Sequence, residues 1–472
     1  MTSRRNFLKT MTLASAGLAV GLRANAGSSS SSSNSSSPAS AGSKVNLACI
    51  GVGNRGEQII NDFHNTGLAN IVALCDVDLG AAHTQAMLAK FPKAKRFKDF
   101  RQMFDKIGSE FEAVCIAVPD HAHFPISMLA IAEGKHVYVE KPMARTFLEA
   151  ELMMEAARKH PKIATQVGNQ GHSEANYFQF KAWVEAGIIK DVTAITAHMN
   201  NDRRWHAWDV NIYKLPDKEP IPDTLDWNTW MSAVPYHEYS PKYHYGEWRS
   251  WYDFGMGALG DWGAHIMDTA HEFLQLGLPY EIRPTLTGHN DYFFPTSSTV
   301  LFRFPARGDM PPVDLTWYDG VNNLPPIPKG YGKSELAEGI PASGQGEIKP
   351  STINPGKIIY GKDLIFKGGS HGSSLSIIPE EKAKGIKLPE VPQSPSNHFE
   401  NFLHACMGRE KTRSPFEIHG PLSQVFSLGV IAQRLNAPLY FDSRLKQITN
   451  NAFANAMLTG LPPRTGWEQY YK

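Results

Sequence analysis

A glycine-rich hexapeptide, GVGNRG (residues 51–56), directly follows the apolar run VNLACI and precedes the helical pattern EQIINDFH. This order of strand, tight turn and helix predicts the first unit of a parallel sheet that binds a dinucleotide. Gly51 permits the turn, Gly53 lets the backbone approach the pyrophosphate, and Gly56 allows the helix to pack on the strand. The first turn of the helix offers unpaired N–H groups and a positive dipole end to the phosphates.

The second apolar run, IVALCD, ends at Asp76. A carboxylate at this strand end accepts hydrogen bonds from the ribose hydroxyls and repels a 2′-phosphate. The next residues, Val77 and Asp78, supply no arginine for such a phosphate. The sequence therefore predicts NAD as the cofactor, with NADP less favoured.

Strands and helices continue to alternate as far as KHVYVEKP and TQVGN, which predicts a doubly wound, parallel α/β Rossmann domain over residues 44–165. Ligands of such a sheet lie beyond the carboxyl ends of its strands. The polar residues just past these ends are therefore candidates for cofactor contact. With the glycine turn, the candidates are Gly51, Gly53, Asn54, Arg55, Gly56, Asp76, Pro119, Asp120, His123, Glu140 and Lys141.

Residues 166–472 are predicted to form an α+β domain that binds the substrate. PTLTGH, STVLFRF and VDLTWYDG have the alternation of long antiparallel strands, whereas the stretch from about 321 to 390 is rich in glycine and proline and is predicted to be irregular. The predicted sheet is open and mostly antiparallel. We expect its bare face to pack against another subunit.

The turn GVGNRG, the strand end AVPDHAHF, the triplet EKP (residues 140–142) and the segment GALGDWGAHIMD (residues 257–268) resemble the Gfo/Idh/MocA family, named after glucose–fructose oxidoreductase and inositol dehydrogenase. The resemblance extends from about residue 44 to the end of the chain. It implies an NAD(P)-dependent oxidoreductase that acts on sugars and assembles as a homodimer or homotetramer.

The resemblance also implies roles for individual residues. Lys141, Asp261 and His265 would be the catalytic residues, lying against the nicotinamide and the substrate. At the domain junction, cofactor contacts would come from Asn169 and Gln170 and a substrate contact from His172.

The chemistry of these side chains agrees with such roles. His265 has an intrinsic pKa suited to a general base, and Lys141 can hydrogen-bond the reacting oxygen and favour its alkoxide. Asp261 precedes His265 by four residues, so the two share one face of a helix. The purely structural alternative is a helix capped by Asp261, with His265 in the core.

A transition-metal site is another alternative for this segment, because His265, Asp268, His271 and Glu272 lie close together in sequence. His265 and His271 are six residues apart, however, so a helix would place them on different faces. Hydride transfer in the family needs no metal, and none is predicted.

Tryptophans are concentrated between residues 205 and 262, among arginine, aspartate and histidine. Flat aromatic faces stack on sugar rings while charged neighbours bind hydroxyls, so a carbohydrate substrate is predicted, although most of these tryptophans are expected in the core. The formal net charge of +1 indicates no basic surface for nucleic acid. The predicted substrate contacts are His172, Trp205, His206, Arg249, Asp261 and His265.

The amino terminus, SRRNFLK followed by TMTLASAGLAVGL and ANA, resembles a twin-arginine export signal over residues 1–26. The serine-rich stretch 27–43 is predicted to be a flexible linker. We therefore expect a periplasmic protein that is exported folded and has no membrane anchor once the signal is removed.

Because NAD is not freely available outside the cytoplasm, an exported enzyme needs to hold its cofactor tightly. The predicted function is oxidation or reduction of a secondary hydroxyl or hemiacetal carbon of a sugar or glycoside by hydride transfer. Two alternatives stay open: a redox-neutral glycosidase or lyase that uses NAD through a transient keto-sugar, and a non-catalytic sugar-binding protein.

Overall fold

The computed structural model describes residues 44–201, 211–244, 246–332 and 353–472; the predicted signal (1–26) and linker (27–43) lie outside them. The amino-terminal part is a six-stranded parallel sheet in the order β3-β2-β1-β4-β5-β6. Its strands are β1 Val45–Ile50, β2 Ala69–Cys75, β3 Lys95–Phe97, β4 Ala113–Ile116, β5 His136–Val139 and β6 Thr165–Val167. Its helices are α1 Arg55–Asn65, α2 Gln85–Lys90, α3 Phe100–Ile107, α4 Asp120–Ala132 and α5 Phe147–Lys159.

The central strands of this sheet are mostly apolar, because helices cover both faces. All four residues of β4, AVCI, are buried. The doubly wound Rossmann prediction is confirmed.

The second sheet has nine strands in the order β13-β12-β11-β7-β10-β9-β8-β14-β15. Apart from the parallel pair β7–β10, neighbouring strands are antiparallel, as predicted. The strands are β7 Ala194–Met199, β8 Glu281–Thr287, β9 Ser297–Phe304, β10 Val313–Asp319, β11 Gly356–Tyr360, β12 Ile365–Gly369, β13 Ser376–Ile378, β14 Leu439–Asp442 and β15 Gln447–Ile448. The remaining helices are α6 Ala175–Glu185, α7 Trp227–Met231, α8 Gly257–Ile266, α9 Asp268–Phe273, α10 His398–Cys406, α11 Phe416–Leu435 and α12 Ala452–Met457.

The prediction of an irregular stretch from about 321 to 390 was wrong for β11, β12 and β13, which form one edge of this sheet. These strands are three to five residues long, and two of them contain glycine. Their pairing along the sheet fixes them, while their local sequence resembles a loop.

The carboxyl-terminal helices pack back onto the amino-terminal part. In α10, Phe402 contacts Phe63 and Tyr138 of the first sheet's core, and α11 packs against α5. No helix within the described ranges is both long and apolar enough to cross a bilayer.

Candidate active site

A cleft of about 450 Å³ opens at the carboxyl ends of β1, β2, β4 and β5, and α8 forms its opposite wall. It brings together residues that the sequence distributes over more than 200 positions. Of the predicted site residues, those lining it are Gly51, Gly53, Asn54, Arg55, Asp76, Pro119, Asp120, Glu140, Lys141, Gln170, Arg249, Asp261 and His265.

The turn after β1 has room only for glycine. Gly51 has a φ of +82°, and a Cβ there would lie 2.2 Å from the Ala117 carbonyl oxygen. A Cβ on Gly56 would lie 2.1 Å from the Gly51 carbonyl oxygen, so helix α1 packs directly on the turn. Gly56 therefore supports the cradle without lining the cleft.

Asp76 closes the other side of the turn. Its Oδ2 accepts a hydrogen bond from the Val52 N–H at 2.9 Å, and its Oδ1 accepts one from the Asp78 N–H at 3.0 Å. Burial raises the pKa of this carboxyl, and the two N–H donors oppose that shift. A glycine cradle, a helix amino terminus and a carboxylate at the β2 end fit the pyrophosphate and ribose of a dinucleotide.

Replacing Gly51 with alanine is expected to lower nucleotide affinity at least about 100-fold, or roughly 3 kcal/mol. The new Cβ would push the turn away from Ala117 and deform the cradle. Gly134→Ala is the matched control, because Gly134 has a similar φ of +72° but no atom within 4 Å of its Cβ position. The readout is nucleotide released per chain on denaturation; equal release from the Gly51 variant and the wild type would contradict the cradle assignment.

Lys141 and Asp261 form a mostly buried ion pair at the centre of the cleft. Lys141 Nζ lies 2.5 Å from Asp261 Oδ1 and donates a second hydrogen bond, of 3.0 Å, to the Asp261 carbonyl oxygen. The side chains are 13% and 9% exposed. Arg249 Nε lies 3.6 Å from the same Oδ1, so two cations share one carboxylate.

His265 lies one turn after Asp261 on α8, on the same wall of the cleft. Burial lowers its pKa well below the ordinary value, and His371, Lys141 and Arg55 add to this effect. The imidazole is therefore neutral near pH 7 and is able to accept a proton.

Residues 45–169 match an oxidoreductase family with an NAD-binding Rossmann fold, and residues 174–278 match the carboxyl-terminal α/β domain of the same family. The chain belongs to the Gfo/Idh/MocA oxidoreductase family. Its amino-terminal part is thus an NAD-binding Rossmann domain, which agrees with the cradle at Gly51.

Individual relatives are more distant. An inositol 2-dehydrogenase of Salmonella paratyphi B is 27% identical over 191 residues, which cover 40% of this chain and 54% of the relative. A glycosyl hydrolase family 109 protein of Solibacter usitatus is 31% identical over 252 residues, covering 48% and 56%. The chain thus spans about half the length of the curated relatives it matches.

Among solved structures, the WlbA dehydrogenase of Bordetella pertussis, in complex with NADH and UDP-GlcNAcA, superposes with a TM-score of 0.53. It is 13% identical, and the match covers 84% of this chain and 99% of that chain. At this identity the likeness shows the shared fold.

Three residues that the sequence analysis assigned to the site, His123 from its place after a strand and Asn169 and His172 from the family resemblance, lie behind the cleft wall. The His123 ring nitrogens lie 2.8 Å and 2.9 Å from backbone carbonyl oxygens, those of Pro142 and Val118. The Asn169 amide donates to the Ala264 carbonyl at 2.5 Å and to Asp268 at 3.2 Å. His172 is fully buried, with its Nε2 3.3 Å from Asp268 Oδ2.

Two carboxylates, Asp268 and Glu272, lie next to the buried His172 ring. Burial opposes its charged form, but Asp268 and Glu272 more than offset this and raise its pKa. The structure thus places His172 beneath α8 and α9 rather than against a substrate. Trp205 and His206, the other predicted substrate contacts, lie outside the described residues.

The sequence analysis missed a group of cleft residues that come from distant segments. Residues 222–244, here called the covering segment, lie across the nucleotide side of the cleft. Two hydrogen bonds hold this segment there. Lys98 Nζ donates to the Thr224 carbonyl at 2.7 Å, and the Asp226 N–H donates to the Val77 carbonyl at 2.8 Å. No local motif marks these positions. The missed lining residues are His83, Lys98, Thr229, Trp230, His244, Trp248, Trp262 and His371.

Near the carboxyl end, Arg464 braces the covering segment. Its guanidinium donates to the Ser232 carbonyl and to the side chain and carbonyl of Asn228, at distances of 2.5 to 2.9 Å. From the other side, His121 Nε2 lies 2.7 Å from the Trp230 carbonyl oxygen. The segment is therefore held on both flanks.

The alternative of a metal site lacks a set of ligands. Within the described ranges, no group of three or more His, Cys, Asp or Glu side chains could hold a metal ion. His271 Nε2 lies 2.8 Å from the Gly277 carbonyl oxygen, whereas His265 lines the cleft. The two histidines point to separate surroundings.

Asp120 offers a test of the cleft's electrostatics. Burial and the nearby Asp261 raise its pKa from 3.8 to about 7, against the opposing effects of Arg249 and Lys141. Because the folded-state pKa lies above the unfolded one, ionisation destabilises the fold. This cost is absent below about pH 4, grows as the pH rises and is complete above about pH 7.

Asp120→Asn is therefore expected to stabilise the cofactor-free protein on the order of 3 kcal/mol at pH 8 and hardly at all at pH 4. The measurement is the free energy of unfolding in denaturant at the two pH values, with the exposed Asp309→Asn as control. A gain that is independent of pH would contradict a buried, ionising Asp120.

Proposed function

We propose that this protein is an NAD-dependent oxidoreductase that acts on a secondary hydroxyl or hemiacetal carbon of a sugar or glycoside. The observation that carries the proposal is the meeting of Lys141, Asp261 and His265 in the cleft that the Gly51 turn also lines. A base, a cation and a nucleotide cradle in one cavity of about 450 Å³ are the parts that hydride transfer requires.

Each side chain has a separate task. His265, neutral at physiological pH, takes the proton of the substrate hydroxyl. Lys141 donates a hydrogen bond to the reacting oxygen and stabilises negative charge on it, while Asp261 fixes the Lys141 ammonium. When bound, NAD supplies the acceptor for the hydride that leaves the carbinol carbon.

The choice of NAD over NADP rests on Asp76. Its carboxylate at the end of β2 would accept hydrogen bonds from ribose hydroxyls and would repel a 2′-phosphate. Lys98, which also lines the cleft, donates its Nζ hydrogen bond to the Thr224 carbonyl, and so it is engaged elsewhere.

A carbohydrate substrate is supported by the lining of the cleft and by the names of the relatives. Trp248 and Trp262 line the cleft, and the Arg249 guanidinium lies 4.1 Å from the Trp248 ring centroid. Inositol 2-dehydrogenase, named for a polyol, and the glycosyl hydrolase family 109 protein, named for glycosides, point to the same class of compound.

The proposal includes export. The twin-arginine pattern at residues 1–26 would send the folded protein to the periplasm with its cofactor already bound, and mass action there would strip a loosely held ligand. Tight retention and a second carbonyl substrate that reoxidises the cofactor would close the cycle. The open sheet would support a homodimer or homotetramer, which light scattering on the purified protein tests.

The first experiment is to purify mature protein without added cofactor, denature it and count the released nucleotide. About one NAD(H) per chain is expected, and incubation of the native protein with a panel of sugars should reduce it. If no nucleotide were released and no sugar reduced the cofactor, the proposal would be overturned. Release of the aglycone from a nitrophenyl glycoside without a second substrate would instead establish the redox-neutral glycosidase.

Export is tested separately by fractionating cells that express the full chain. Cleaved protein in the periplasm is expected, and substitution of both Arg4 and Arg5 by lysine should retain the precursor in the cytoplasm. Periplasmic protein from the double variant would contradict the twin-arginine route.

A further inference from the structure

A second imidazole lies flat against His265. The rings of His265 and His371 are stacked, with centroids 3.9 Å apart and an interplanar angle of 17°. The Trp262 ring packs edge-on against His371, with the two ring centroids 5.4 Å apart. His371, in the loop after β12, thereby holds one face of the His265 ring.

The backbone of His371 is fixed in an unfavourable conformation. Its φ is +55°, in the left-handed region that residues with a side chain seldom adopt. Its N–H donates to the His265 carbonyl at 3.2 Å, and its carbonyl accepts from the Asn176 amide at 3.1 Å. Residues held in such conformations by their surroundings are concentrated at functional sites.

The side chain of His371 is oriented as well. Its Nδ1 lies 3.0 Å from the Ser370 hydroxyl oxygen, and the residue lines the same cleft as Lys141 and Asp261. A core-filling residue would need neither a hydrogen-bonded ring nitrogen nor access to the cleft. Two backbone contacts, one side-chain contact and one ring stack therefore determine where this imidazole lies.

The stack disfavours two charges. Burial lowers the pKa of both rings, for His371 to about 3. Lys141 and Arg55 also disfavour the charged form of both rings, and His371 further lowers the pKa of His265. A second proton would place two cations 3.9 Å apart in a cleft that already holds cationic groups. The charged and titratable groups that face the stack are Arg55 on α1, Lys141 after β5, Asp261 on α8, Asp268 on α9, His419 on α11 and, beside Gly372, Glu174.

We propose that His371 is a positioning residue of the active site, which fixes the plane of the His265 ring and restricts the stacked pair to one positive charge. The inference rests on the proposed function of His265 as the base. As the substrate O–H bond breaks, one N–H bond forms on the free ring nitrogen of His265, so the pair passes from no positive charge to one. His371 keeps the pair uncharged beforehand, so that His265 has a free ring nitrogen to accept the proton.

The test compares His371→Asn, which removes the ring and tolerates a positive φ, with His371→Phe, which keeps a flat face but has no basic nitrogen. For the asparagine variant we expect kcat to fall at least about tenfold with the sugar KM almost unchanged. Because the limit on protonation is lost, the acidic limb of its kcat–pH profile should move up by about one pH unit. The phenylalanine variant should recover part of kcat, since it restores the ring plane.

A readout that needs no turnover separates this inference from the proposed function. In protein with ¹³C-labelled histidine, the ring C–H signal of His265, identified by its loss in a His265 variant, is followed against pH. Its titration should move upward in His371→Asn and stay unchanged in His64→Asn, an exposed control on α1. A shifted titration in a protein that oxidises no sugar would keep the inference about the stack and reject the proposed reaction.

Two results would overturn the inference. One is a His371→Asn protein with the kcat, the pH profile and the His265 titration of the wild type. The other is a fall in kcat that follows a fall in melting temperature and bound nucleotide, with the acidic limb and the titration unmoved, because that pattern describes a purely structural residue.

Discussion

Replacing His265 with asparagine is expected to lower kcat by about 10³- to 10⁴-fold while bound NAD per chain stays the same. The imidazole is neutral, buried and on the cleft wall formed by α8, so its loss removes the proton acceptor without touching the glycine turn. Asparagine keeps the polarity of the position and its place in the helix. Single-turnover reduction of the bound cofactor by sugar measures the chemical step directly.

His289→Asn provides the control for this variant, since His289 lies outside the cleft with its Nε2 3.0 Å from the Arg434 carbonyl oxygen. Its rate should match that of the wild type. Retention of more than about a tenth of the wild-type rate in His265→Asn would assign the proton to another group, since a positioned base contributes 10²-fold or more.

Replacing Lys141 with methionine is expected to lower kcat by about 10²- to 10³-fold and also to destabilise the fold. The first effect is the loss of a donor to the reacting oxygen. The second arises because Asp261 loses its partner at 2.5 Å, while the Arg249 guanidinium nitrogen lies farther away, at 3.6 Å. Removal of one member of a buried pair costs about 3 kcal/mol or more.

The double variant Lys141→Met, Asp261→Asn separates the two effects. Neutralising the Asp261 carboxylate should recover most of the lost stability but none of the lost rate, because the donor is still missing. Denaturant unfolding and sugar-dependent cofactor reduction are both measured on four proteins: the wild type, the two single variants and the double variant. If stability and rate recovered together, Lys141 would serve only to hold the fold around Asp261.

Local patterns predicted those parts of the site that are local in the chain. The strand–turn–helix at Gly51, the acid at the end of β2 and the one-turn spacing of Asp261 and His265 each follow from geometry within a few residues. The carboxyl ends of parallel strands lie at one edge, which gave the cleft residues Asp120, Glu140 and Lys141 without knowledge of contacts.

Placing site residues by their position after a strand gave wrong predictions where the chain turns back on itself. Asn169 and His172 follow β6, but a short 3₁₀ turn, Gln170–Ser173, carries them beneath α8, where Asp268 binds both. His371 could not be found in this way, since it follows a five-residue strand in a glycine-rich stretch and meets His265 only through the folding of both sheets. The covering segment was missed for the same reason.

The brace at Arg464 bears on the order in which the chain acquires its cavity during synthesis. Arg464 follows its partners Asn228 and Ser232 by more than 230 residues, so the Rossmann domain emerges from the ribosome long before its lateral wall is secured. A nascent chain stopped before Arg464 would contain the glycine cradle, but its covering segment would lack the hydrogen bonds from Arg464. Completion of the compartment thus has to await the synthesis of Arg464, more than 230 residues after the residues that it braces.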